Sequence, residues 1–406
     1  MSPAPVMRTV SVRREQALVV ELMTKGAGFS AAERAALLGL IGSVVRGIVP
    51  RFRALAASGR VELTTTPHQH PLAPLLLDLA SARQAEPGIE LPQELAYPGG
   101  RSRVGAHVAA AIASHEARFG ARPGGVWPAE GAISEAFVEM LAGTAIAWAA
   151  SSETVLANSL RSLGRLSGEK HRFLYRPYET NGLMLLFRDD RLSDLIGFEY
   201  AKWHGKDASS HFVTELETIA RDAGEDDVPL VSVMLDGENA WEYYPYNGFY
   251  FLQDLYSALE SHASIRTRLP SQCLQRRREP LERVVAGSWV YGSFSTWIGA
   301  HDKNRAWDLL CAAKRSFDLV SASGRLTPSE LSAAEQRLAV CEASDWFWWF
   351  GDYNPAHAVA SFDRLFRRNL TELYRLLALQ PPAELLQPIS HGGGEPEAGG
   401  AMRRAS

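Results

Sequence analysis

The hydrophobic positions of this chain keep two different rhythms. From residue 30 to about 57 apolar side chains return every three or four residues, and Leu37, Leu38, Ile41, Val44, Val45 and Ile48 share one helical face. Ser30 and Glu33 form the capping box that opens this helix, Pro50 bends it and Gly59 ends it. The spacing then changes. Val61–Thr66 reads as a strand that runs into the loop Pro67-His-Gln-His-Pro-Leu-Ala-Pro74. The alternation continues, with helices predicted over 75–82, 103–119 and 134–141 and strands over 124–127 and 145–149. Residues 150–170 are polar and serine-rich. Phe173–Pro177 and Leu183–Phe187 read as strands about a Thr180-Asn-Gly182 turn. Helical period returns over 192–203 and 212–223, separated by the acidic turn Glu225-Asp-Asp227 from Leu230–Leu235. That last run is almost wholly apolar, as in a strand buried on both faces of a parallel sheet. A helix over 248–261 follows.

Beyond about residue 270 no buried strand run remains, and 303–320, 328–342 and 356–378 all repeat with helical period. The pattern predicts α/β architecture followed by an all-α region. Residues 1–16 are polar and basic and are expected to be poorly ordered. The α/β part spans 17–270 and the helical part 271–384. Residues 385–406, with Gly392-Gly-Gly394 and Gly399-Gly400, read as a disordered tail.

Composition narrows the field. The 406 residues carry a formal net charge of -4, with 46% hydrophobic and 22% charged residues, and show no basic stripe with interleaved aromatics, so a nucleic-acid partner is not expected. Cys273, Cys311 and Cys341 are odd in number and far apart, which suits a reducing compartment. With no signal-peptide pattern at the N-terminus, a cytoplasmic location is expected. No run of about 20 consecutive apolar residues is seen, so no membrane span is expected. The sequence leaves the oligomeric state open.

Candidate chemistry gathers where predicted strands end. Glu130 follows the strand at 124–127 and sits beside Trp127; it reads either as a nucleophile or base, or as an acid at a helix N-terminus. Asp236 closes the run Leu230–Leu235 and is the candidate proton donor, with Glu238 as a positioning or sugar-hydroxyl contact and Trp241, Tyr243 and Tyr244 behind it. Two carboxylates converging from separate strand ends are the minimum for cleaving a glycosidic bond, and flat apolar rings suit pyranose faces. Arg188 reads either as a partner that keeps a catalytic carboxylate ionised or as part of a capping salt bridge with Asp189 or Asp194. His68 and His70 open a possible metal pair; substrate contact by one and loop support by the other is the simpler reading, and no metal is expected. Trp297 and the run Trp346-Phe-Trp-Trp-Phe350 exceed what a small helical core needs, and some of these rings are expected to form a stacking platform near Asp345.

Several of these stretches together resemble family 57 of the glycoside hydrolases: His68–Leu75, Gly125–Gly131, Leu235–Pro245 and Ser344–Gly351, with Phe187–Phe198 and Lys303–Trp307 similar to its α-amylase/α-mannosidase-like branch. The resemblance implies an incomplete (β/α)7 TIM-like barrel followed by an all-α domain. It implies a retaining glycoside hydrolase acting on α-glucan or maltooligosaccharide by hydrolysis or transglycosylation, without cofactor or metal. It places the nucleophile on Glu130 and the general acid/base on Asp236. The family's first motif, a His-Gln-Pro-like segment, has no counterpart upstream of Pro67, so a barrel truncated at its N-terminal side is expected. The segment Gly351–His357 also departs from the branch's more acidic pattern. Two rival functions remain in view, an α-glucan-binding protein without turnover and a metal-dependent amidohydrolase built on His68 and His70.

Overall fold

A computed structural model describes residues 16–166, 168–224, 228–237 and 240–394. A mixed sheet of β1 (Gly125–Val126), β2 (Trp148–Ser152), β3 (Tyr178–Thr180), β4 (Leu183–Arg188) and β5 (Glu279–Pro280) organises the chain, in the order β1-β2-β4-β3-β5. β1, β2 and β4 run parallel, and β3 turns back on β4 as a hairpin. Its two-residue loop is Asn181-Gly182, with φ of 53° and 82°, the backbone that makes Asn-Gly the favoured pair. The expected strand over 173–177 is displaced into β3, because pairing across this tight loop begins at Thr180 and Leu183.

Two more segments lie parallel to the sheet through single bridges, Thr65 beside Val126 and Ser232 beside Arg188. The parallel order is therefore 61–66, β1, β2, β4, 230–235. Among the described residues no ladder joins the first of these to the last. Burial follows the order. Every residue of β2 and β4 is buried, whereas Val61–Thr66 and Leu230–Leu235 are only half-buried. This corrects the expectation that Leu230–Leu235 is enclosed on both faces: an apolar run records what its faces favour, not whether a neighbour covers them.

Ahead of the sheet, α1 (Ala31–Arg46) opens with the expected Ser30–Glu33 capping box and leads into α2 (Ile48–Ala57). No side chain of α1 is buried, and Leu38, Ile41, Val45, Ile48 and Phe52 face solvent. The stretch Ala31–Ala57 is long and apolar enough, by length and composition, to cross a membrane. The sequence reading that no run of about 20 consecutive apolar residues exists is a different criterion, since Arg46, Arg51 and Arg53 interrupt this stretch.

The helix α3 (Gly100–Phe119) packs against Ala73–Leu77 and α2 and ends at left-handed Gly120. The C-terminal helices α4 (His301–Ala322), α5 (Pro328–Cys341) and α6 (Ala356–Leu376) bury Trp307, Leu310, Phe317, Leu338, Phe366 and Leu370. One contiguous core joins them to the sheet and to Leu72–Leu79. The change of character near residue 270 is thus a change of secondary structure within a shared core. The expected tail from 385 is corrected for its first ten residues. Leu385, Ile389 and Ser390 are buried, and the Asp363 carboxylate accepts the Ile389 amide at 2.7 Å. Residues 395–406, like 1–15 and the acidic turn 225–227, lie outside the described residues.

Candidate active site

Because the bridged segments are parallel, their C-terminal ends emerge on one side of the sheet. That side receives the loop Pro67–His70, then Glu130, Glu153, Asp190 and Asp236. Strand-end loops are where an α/β scaffold presents chemistry.

Glu130 sits in a left-handed backbone conformation, φ 58° and ψ 26°, and Gly131 after it has φ 57°. A non-glycine residue there costs on the order of 1–3 kcal/mol and persists only where its surroundings over-determine it. Here the surroundings are a distant segment. Gly287 pairs antiparallel with Ile133, and two residues on Trp289 grips Glu130 at both ends. Its backbone N–H donates to the Glu130 carbonyl at 3.1 Å, and its indole N–H donates to Glu130 Oε2 at 3.1 Å. Trp127 meets Trp289 edge-on at 5.1 Å. Gly131 lies between them, where a Cβ would come within 3.2 Å of each, and Ser151 fixes the Gly131 carbonyl at 2.6 Å. The indole hydrogen bond fixes the orientation of the Glu130 carboxyl.

Arg188, at the end of β4, is buried. It donates to Asp190 at 2.7 Å, to Asp194 at 2.8 Å and, through Nε, to the Met234 carbonyl at 2.9 Å. Its guanidinium also lies 5.3 Å from the centre of the Trp289 ring. It therefore connects the ring that holds Glu130 to the segment that ends in Asp236. Of its two sequence readings the salt bridge with Asp194 is present, with Asp190 as the further partner. The Asp190 backbone N–H donates to the Glu153 carboxylate at 2.9 Å. Burial pushes the Asp190 carboxyl up to about 7, against the Arg188 charge and with the Glu153 charge adding to the rise. Asp236 is half-buried at the end of 230–235.

A second cluster lies on the same side. A cleft of about 520 Å³ is lined by Thr65–His70 of one wall and by Val340, Ala343, Asp345 and Trp346 of the other. Asp345 and His68 are exposed, His70 is half-buried, and Trp346 is 8% exposed with its indole N–H on the Val340 carbonyl. His70 Nδ1 meets the Ser344 hydroxyl at 2.8 Å. Burial, with the nearby His107 and Arg118 charges, holds the His68 imidazole below its usual range. Among the described residues no group of three or more His, Cys, Asp or Glu side chains could hold a metal ion.

The structure thus gathers Glu130, Trp127 and Arg188 in one cluster, and His68, His70, Asp345 and Trp346 in another. It does not present Trp297 to a ligand. That ring is fully buried, tilted against Trp348 at 5.7 Å, with its carbonyl taken by the Trp307 indole; its expected stacking role is corrected to core packing. Trp241 packs on Tyr244 at 5.3 Å and over Gly248. Glu238 lies outside the described residues. Sequence reasoning missed Trp289 as the partner of Glu130. It was one ring in an aromatic-rich stretch, and its signal was the pair Gly287 and Gly292 about it, which lets two backbones approach closely.

The model of glycosyl hydrolase family 57 matches residues 41–286. A family 57 branching enzyme from Thermococcus kodakaraensis superimposes with a TM-score of 0.63 at 16% identity, covering 93% of this chain and 79% of its own. The α-amylase AmyC from Thermotoga maritima gives 0.62 at 14% identity, covering 94% and 78%. The 4-α-glucanotransferase from Thermococcus litoralis gives 0.53 at 16% identity, covering 84% and 52%. At these identities the likeness is one of fold. No curated protein matches the chain.

Proposed function

The chain belongs to glycosyl hydrolase family 57, and from that premise we propose that it acts on α-1,4-glucans by retaining double displacement on an incomplete (β/α)7-type barrel. In this reading Glu130 attacks the anomeric carbon while Asp236 protonates the departing glycosidic oxygen. A glycosyl–enzyme ester forms at Glu130. Asp236, now a carboxylate, takes a proton from water or from a sugar hydroxyl as that oxygen displaces Glu130, so the configuration is restored. The observation that carries the reading is the hold on Glu130: a strained backbone, a strand-end position and an indole donor at 3.1 Å. A nucleophile must be aimed before substrate arrives, and a solvated capping glutamate need not be. The branching enzyme, amylase and glucanotransferase of similar fold support an α-glucan as substrate.

The half-buried strands at 61–66 and 230–235 favour one second reading, α-glucan binding without turnover. One experiment separates the two. The purified chain is incubated with maltoheptaose beside Glu130→Gln and Asp236→Asn, and products are resolved by chromatography. New sugars from the wild type alone support the two-carboxylate assignment. Shorter sugars only mean hydrolysis, and longer ones as well mean transfer. Binding that survives both substitutions with no new sugars from any of the three would establish the second reading.

A further inference from the structure

A buried ion cluster joins the C-terminus of α5 to α3. Glu342 caps the C-terminus of α5 and is fully buried. Its carboxylate accepts Arg103 Nε at 2.8 Å on one oxygen and Arg103 Nη2 at 2.8 Å on the other. Tyr97 donates at 2.6 Å, and His107 Nε2 lies at 2.7 Å. Arg103 and His107 stand four residues apart on one face of α3. Burial drives the Glu342 carboxyl upward, but the hydrogen bonds and charges of His107 and Arg103 outweigh it and hold it below its ordinary value. A buried carboxylate with this many donors is costly to build and strongly directional once built.

Its two ends reach the cleft. On one side the His107 carbonyl accepts the His68 amide at 3.1 Å, so the helix that binds Glu342 also sets the start of the histidine loop. On the other, Ser344 follows Glu342 by two residues. Its amide donates to the His70 carbonyl at 3.0 Å, and its hydroxyl meets His70 Nδ1 at 2.8 Å. Gln69 and His70 have φ of 62° and 54°, so this loop is held out of its preferred conformations. Asp345 and Trp346, the opposite wall, come next in the chain.

We propose that Glu342 is a positioning residue for substrate binding: it locks the Pro67–His70 loop to the Ser344–Trp346 segment, so that His70, Asp345 and Trp346 meet a sugar as one preformed wall. The inference rests on the α-glucan reading of the same site. Glu342 touches no substrate; it acts through His107 on one wall and through Ser344 on the other. Gln at this position keeps the shape but turns one acceptor into a donor that faces Arg103 or His107, so the lock loosens. The cleft lining does not include Glu130 or Asp236, so the loss falls on binding before chemistry.

The test combines kinetics on maltoheptaose with the imidazole nitrogen spectrum of His70, assigned through His70→Gln, for wild type, Glu342→Gln and Ser344→Ala. All are measured well below each variant's melting temperature. For Glu342→Gln a rise in KM of about tenfold is expected with kcat within about twofold, the pattern of lost uniform binding. His70 is expected to pass from one tautomer to a mixture. Ser344→Ala, which leaves the buried charges intact, is expected to give the same spectral change and the same direction in KM with little change in melting temperature. If Glu342→Gln does not fold, Ser344→Ala decides alone. The proposal is overturned if both folded variants keep the wild-type KM and His70 spectrum, or if Glu342→Gln lowers only the melting temperature. A wild type that turns over nothing would sink the turnover reading instead, and the His70 spectrum would then decide whether Glu342 positions that loop.

Discussion

The two carboxylates proposed for the reaction sit on segments of different burial. Glu130 follows a strand flanked on both sides, by Thr65 and by β2. It is clasped at backbone and side chain by Trp289, with Trp127, Gly131 and Ser151 completing the grip. Asp236 ends a half-buried segment bridged to the sheet at Ser232. The contrast suits the two roles. A nucleophile gains from a fixed distance to the anomeric carbon, since effective molarity falls steeply with misplacement. A group that first gives and then takes a proton must serve two different oxygens in turn, and an edge segment accommodates both.

Removing either carboxylate gives the largest effect and separates the roles. Glu130→Gln and Asp236→Asn are each expected to lower kcat on maltoheptaose by about 10⁴-fold. An aryl α-glucoside with an acidic phenol as leaving group needs no proton from the enzyme. On it Asp236→Asn is expected to release a burst of phenol before stalling at the glycosyl–enzyme, while Glu130→Gln releases none. A burst from Glu130→Gln would reverse the assignment.

The clasp itself is tested next. Trp289→Phe keeps an aromatic ring but deletes the N–H that Glu130 Oε2 accepts. A hydrogen bond to a charged group is worth about 1.5–3 kcal/mol, so kcat/KM is expected to fall by about 10- to 100-fold with the fold intact by circular dichroism. Gly131→Ala reaches the same place sterically. Its Cβ would press on Trp127 and Trp289 at 3.2 Å from a backbone with φ 57°, and the left-handed strain alone costs about 1–2 kcal/mol. Stability and kcat are expected to fall together. If Trp289→Phe retains full activity, the hold on Glu130 is architectural and the contrast between the two carboxylates loses its catalytic meaning.

How much of this was legible beforehand varied with the kind of signal. Local signals were read correctly, including the Ser30–Glu33 capping box, the Asn181-Gly182 hairpin and the Gly120 helix end. Each is decided by a few adjacent residues. Periodicity was legible but ambiguous about cover. Leu38 and Ile41 of α1 fall at helical spacing, as do Phe366 and Leu370 of α6, yet the first pair faces solvent while the second is buried. A pattern shows which face seeks a partner; the partner is a tertiary fact. The site followed the same division. Glu130 and Arg188 were visible because strand ends carry chemistry. Trp289 was not, because its hydrogen bond spans 159 residues of sequence. Trp297 misled for the converse reason, since an indole suited to a sugar is equally suited to a core.

The smallest expected effect concerns Arg188, which joins the clasp on Glu130 to the half-buried segment ending in Asp236 through Trp289 and the Met234 carbonyl. Its partner Asp190 has a carboxyl raised from 3.8 to about 7, burial being the main cause. Between those values the folded protein holds a proton that the unfolded chain has released. Stability contributed by this group is therefore greatest below about pH 4, declines as pH rises toward 7, and is flat above it. The slope is at most about 1.4 kcal/mol per pH unit for one proton. Asp190→Asn removes the titration, so urea unfolding midpoints measured from pH 4 to 8 are expected to fall less steeply with rising pH than those of the wild type. Arg188 keeps Asp194 at 2.8 Å in that variant, so its charge is not stranded. Parallel profiles would mean that Asp190 is ionised throughout and that the Arg188 charge outweighs burial. The link between the two halves of the site would then be a permanent ion pair, held equally at every working pH, and not one that tightens as Asp190 gives up its proton.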